Sequence, residues 1–80
     1  MIISDCVSTY AQARVVDEVQ GHYDWDHGSD AWLAEGSPDV LVMWAARRGY
    51  SLTYRHGSAC PDHPDDGLTF TLEPIGEKDE

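Results

Sequence analysis

The chain has 80 residues, 41% of them apolar, and fifteen Asp and Glu against five Lys and Arg give a formal net charge of -10. One domain spanning residues 1–80 is expected, burying roughly 60% of the surface its unfolded form exposes. So large a negative field excludes direct contact with nucleic acid or anionic membrane and steers the protein toward basic surfaces, and no apolar run approaches the ~20 residues of a membrane span.

Met1 to Val7 reads as a short strand. Thr9 with Gln12 matches a capping box, after which Ala11, Val15 and Val19 share one helical face. This predicts a helix over Tyr10–Gln20, ended by Gly21. Residues 22–36 read as a loop holding one short helix around Ala31-Trp32-Leu33. The clearest element follows. Ser37 suits an N-cap, Pro38 the first helical position and Asp39 the positive end of the dipole. Arg47 and Arg48 fall in the last turn, and Gly49 suits a left-handed closing residue. Between these signals Val40 to Ala46 is apolar on every face, which predicts a buried helix over Pro38–Arg48.

After Gly49 the period becomes two. Leu52 and Tyr54 alternate with polar residues, as do Leu68, Phe70 and Leu72, which predicts strands at Leu52–Arg55 and Leu68–Glu73 in an antiparallel hairpin. The connection from His56 to Gly67 is long for a hairpin, and connections of that kind are often functional or mobile. The tail, about 75–80, is expected to fray. The fold class is therefore α+β: two main helices packed on a two- to three-stranded antiparallel sheet. The N-terminus lacks the basic and long apolar regions of a signal peptide. A cytoplasmic setting is expected, with Cys6 and Cys60 reduced in preference to a Cys6–Cys60 disulfide.

Two patterns resemble metal sites. Counted from Asp24, acidic oxygens fall at positions one (Asp24), three (Asp26) and seven (Asp30), with Glu35 at twelve, the cadence of a calcium loop. Position five is Gly28 where a ligand belongs, and position six is Ser29 where the turn wants glycine. Cys60-Pro61-Asp62-His63 has the short Cys-x-x-His spacing of a zinc pair, for which His22, His27, His56 or Cys6 would have to complete the tetrahedron. An acidic turn-rich loop and ordinary surface histidines account for both patterns without a metal. No nucleophile elbow, phosphate-cradling glycine loop or His-Glu-x-x-His occurs, so the expectation is no enzyme and no cofactor.

The acids themselves carry the strongest signal. Between Val15 and Ala46 there is no Lys or Arg, and the same holds from His56 to Glu77. Duplex DNA presents one negative charge per roughly 1.7 Å of axis, met in proteins by Arg and Lys grooves. Carboxylates held at similar density on a folded scaffold can occupy such a groove in place of the nucleic acid. The candidate partner-binding residues are Asp24, Asp26, Asp30, Glu35, Asp39, Asp62, Asp65 and Asp66, with Trp25 as an aromatic anchor beside Tyr23 and Trp32. A second explanation of one Lys against ten Asp is adaptation to a salt-rich cytoplasm.

In size, in its lysine-poor acidic stretches 15–46 and 56–77 and in mixed helix and strand content, the chain resembles a known class. These are the small, acidic, phage-encoded inhibitors of bacterial defence, especially anti-CRISPR proteins acting on type I surveillance complexes. The class has no common signature, so no residue is carried over by position. The resemblance implies a DNA mimic in the bacterial host cytoplasm. It would bind the basic path along which the complex recognises target DNA, often where the short adjacent motif is read. Whether the two acidic stretches share a face, and whether the protein is a monomer or a dimer, is open at the level of sequence.

Overall fold

The computed structural model describes residues 1–21 and 31–75. Its elements run β1 (Ile2–Asp5), α1 (Ser8–Gln20), α2 (Ala31–Glu35), α3 (Pro38–Arg47), β2 (Tyr50–His56) and β3 (Leu68–Pro74). The fold is α+β, as the patterning predicts. The β2–β3 hairpin forms, and β1 pairs with the far side of β3, so the sheet order is β1-β3-β2 and antiparallel throughout.

Register decides which side chains meet the helices. Ile3, Phe70 and Tyr54 lie in one row across the three strands, and Leu72 faces Leu52 in the next. These residues join Ala11, Val15, Val16, Leu33, Leu41 and Ala45 in one core, with Phe70, Leu41, Val15 and Val16 fully enclosed. Strand alternation sends Ser4, Thr69, Thr71, Ser51 and Thr53 to the opposite face. The helices therefore cover one side of the sheet, and hydroxyl side chains line the other.

Helix α1 forms, but not through the expected capping box. Its N-cap is Val7, which makes no side-chain cap bond, and Thr9 lies inside the helix. Gln12 is buried instead, its Nε2 donating to Ala34 O at 2.7 Å and Gly36 O at 3.2 Å. The carbonyls of the α2–α3 turn outcompete the helix's own N-terminus for this side chain. Gly21, at φ 89°, ends α1 as expected, its N–H donating to Asp17 O at 2.7 Å.

Helix α3 has the predicted ends. Ser37 Oγ accepts from Asp39 N at 3.2 Å, Pro38 opens the helix and Arg47 sits in the last turn, with Arg48 the cap residue. Its predicted all-round burial is wrong. Only Leu41 and Ala45 are buried, while Met43 is 61% exposed and Val42 and Trp44 are half-covered. A three-stranded sheet offers one helix-covering face, and α3 packs mainly on its β2 side, which leaves Val40 and Met43 exposed. The chain is still held at Ile75, whose N–H donates to Gly49 O at 2.9 Å. The rest of the tail expected to fray, 76–80, lies outside the described residues.

Candidate functional site: an acidic cleft

The segment from Gly57 to Gly67 is long, but it is tied at both ends. Gly57 N donates to Gly67 O at 3.1 Å, which carries the β2–β3 ladder one step past the strands. Inside the loop Ser58 N donates to Pro64 O (3.1 Å), Ser58 Oγ to His63 O (3.0 Å), His63 N to Cys60 O and Asp66 N to His63 O (3.2 Å each). A hydroxyl relay fastens the loop to the sheet. Thr69 Oγ1 donates to Gly57 O at 3.0 Å, so its one proton is committed and it accepts from Ser4 Oγ at 3.0 Å. Ser4 Oγ in turn accepts from Ala59 N at 2.8 Å. Asp62, Asp65 and Asp66 are exposed residues on a backbone fixed in this way.

Gly67 requires its residue type twice over. It adopts φ 81°, and a Cβ there would overlap the Asp5 carbonyl oxygen and lie 2.6 Å from Cys6 Cα. No side chain fits in that gap, so the loop and the end of β1 touch through backbone.

Between this loop and the helices lies a cleft of about 320 Å³, lined by Ser8 and Gln12 of α1, Gly36 and Pro38 at the start of α3, His56 and Leu68 of the strands, and Asp65, Asp66 and Gly67. One wall is part of the segment 35–39 and the other part of 62–67. The two lysine-free stretches that sequence reasoning could not relate therefore face each other across one opening. Glu35 and Asp39 flank the first wall and are exposed.

The carboxylates here are largely uncommitted. Among the described residues no carboxylate forms an ion pair with an arginine; Asp66 Oδ2 meets His63 Nδ1 at 3.5 Å. Asp39 Oδ1 accepts the Tyr54 hydroxyl at 2.8 Å, and this bond, then burial and the Asp39 charge, push the phenol pKa up. Arg14 is occupied with Ser4 O at 3.1 Å, and Arg48 stacks 4.5 Å over Trp44, at the far end of α3.

Of the predicted partner-binding residues, Asp65 and Asp66 line the cleft. Glu35 and Asp39 are chain neighbours of the lining residues Gly36 and Pro38, and Asp62 is exposed on the same loop as Asp65 and Asp66. Asp24, Asp26, Asp30 and Trp25 lie outside the described residues, as does most of the calcium cadence, and Glu35 ends α2. Trp32, on α2, is 57% exposed and available as an anchor. Among the described residues no three His, Cys, Asp or Glu side chains converge on a metal position, and His22 and His27, two of the candidate completing ligands for Cys60 and His63, lie outside them. His63 turns to Asp66. Sequence reasoning gave Gln12 a capping role and missed its place in the cleft, where it lines the wall contributed by α1. Its Oε1 is buried without a partner, while two carbonyls fix its Nε2.

Comparison with protein-family models, with curated proteins and with solved structures finds no match to this chain. Among the described residues no helix is long and apolar enough to cross a membrane.

Proposed function

We propose that the protein is a non-enzymatic acidic inhibitor. It binds a positively charged nucleic-acid-binding surface and blocks access of DNA by mimicry or steric occlusion. A CRISPR surveillance complex in the cytoplasm of a bacterial cell is the partner the sequence resemblance suggests. One observation carries the reading. Asp65 and Asp66, unpaired with arginine, line a cleft on a hydrogen-bonded loop, and the wall opposite comes from Gly36 and Pro38 of the other lysine-free stretch. A flexible acidic tail would lose conformational entropy on entering a basic groove, whereas carboxylates already held in place lose little. Complementary charge then supplies orientation and a fast encounter. Salt adaptation would place acids over the whole surface and gives no reason for a fastened acidic loop.

The test is capture from a bacterial lysate at low salt by the tagged protein, followed by elution in rising salt. A nucleic-acid-binding assembly should be retained and released sharply, as charge-driven association requires. The triple variant Asp62→Asn, Asp65→Asn, Asp66→Asn should fold and retain at least tenfold less of it, a loss equal to about 1.4 kcal/mol. Equal retention by the variant would move the contact away from this cleft. If the wild type captures no discrete assembly, the inhibitor reading itself fails.

A further inference from the structure

Cys6 and Cys60 are far apart in sequence, yet the fold brings their two chain segments together, through Ala59 on Ser4 and Gly67 on the Cys6 backbone. Two ties between the segments produce this meeting, and one bond within the loop supports it. Ala59, next to Cys60, donates its N–H to Ser4, two residues before Cys6. Gly67, at the other end of the same loop, lies against the Cys6 backbone. Ser58 Oγ lies 3.4 Å from the Cys60 amide nitrogen, which donates to it. Both cysteines are half-buried free thiols, so neither sulfur is sealed from solvent.

We propose that Cys6 and Cys60 form a modification site, a dithiol that hydroperoxides oxidise to an intramolecular disulfide, pinning the acidic loop to the end of β1. Burial first, and then the Cys60 thiol, push the Cys6 pKa up. Cys60, between the exposed Ala59 and Pro61, is the sulfur that meets the oxidant. After losing its proton to solvent, its thiolate attacks one peroxide oxygen; the O–O bond breaks and the departing hydroxide takes a proton to become water. The resulting sulfenic acid lies beside Cys6. The Cys6 sulfur gives up its proton and attacks, the S–S bond forms, the S–O bond breaks and a second water leaves. In sum two thiols and one hydrogen peroxide give one disulfide and two waters, the two sulfurs supplying the two electrons that reduce the peroxide.

The loop closed by this bond spans roughly 55 residues, long enough for a cross-link to constrain the unfolded chain strongly. The full-length protein, treated with a small excess of hydrogen peroxide, is examined by intact mass, non-reducing peptide mapping and thermal melting. The expected product is monomeric and lighter by two hydrogens. Residues 6 and 60 are linked, Tm rises by about 10 °C, and dithiothreitol reverses both changes. Cys60→Ser should show neither the mass loss nor the rise. The proposal is overturned if both thiols stay titratable, if the product is a disulfide-linked dimer or a sulfinic acid, or if Cys60→Ser keeps the rise in Tm. None of these outcomes depends on whether a basic partner exists.

Discussion

Helices α1 and α3 are stabilised in opposite ways. Helix α1 has no side-chain cap, no acid in its first turn and no base in its last, yet it buries five residues: Ala11, Gln12, Ala13, Val15 and Val16. Helix α3 has a serine cap, a proline at its start, Asp39 in the first turn and Arg47 in the last, yet it buries only Leu41 and Ala45. Packing holds α1, while α3 depends more on the chemistry of its ends. The difference bears on function, because the N-terminal end of α3 forms one wall of the acidic cleft. That wall is positioned by local bonds and does not rely on a large buried area.

Matched substitutions test the contrast. The largest effect is expected from Val15→Ala, which removes two fully buried methyl groups and leaves a cavity, at about 2 kcal/mol. The same change at the exposed Val40 of α3 should stay within about 0.5 kcal/mol. Urea titrations that give equal costs for the two valines would end the comparison. Next comes Ser37→Ala, which removes the α3 cap at about 1 kcal/mol and should also weaken partner capture by loosening the cleft wall. Retained capture would show that Asp39 does not need the cap to hold its place.

The smallest effect is a pH dependence. The Tyr54 phenol pKa is raised in the folded state, chiefly by the bond to Asp39. The folded protein therefore holds that proton longer than the unfolded chain does. Stability from this bond is complete below the ordinary phenol range and is lost as pH rises through the raised value. Unfolding midpoints of wild type and Tyr54→Phe, compared between about pH 9 and 12, should converge as pH rises. Parallel curves would show that the hydroxyl contributes nothing linked to its proton.

The contrast between the helices also explains what could be read from the sequence. End signals are local, and Ser37, Pro38, Asp39, Arg47 and Gly49 announced α3 almost residue by residue. The strands were equally plain, because alternation at Leu52–Tyr54 and Leu68–Leu72 reflects one wet and one dry face. Burial is not local. Seven apolar residues in α3 suggested enclosure on all sides, but the amount of sheet available to cover them depends on the fold. Gln12 suggested a cap because the competing carbonyls at Ala34 and Gly36 are more than twenty positions away. The cleft was illegible for the same reason: its two walls meet only once Ser4, Thr69 and Gly67 have fixed the path of the loop. The same ties bring Cys6 to Cys60, which a compartment argument about reduced thiols could not foresee.

The sheet order carries a consequence for how the chain is made. Its central strand, Leu68–Pro74, is the last of the three to emerge from the ribosome. β1 and β2 do not pair with each other, so each waits for the same late arrival. The helices can form local turns during synthesis, but Phe70 and Leu72, around which the core closes, are still to come. A nascent chain halted before Leu68 has two outer strands and no ladder to join them. Assembly is therefore deferred and then cooperative, and a premature stop anywhere in the acidic loop should leave a protease-sensitive fragment with no partly folded domain.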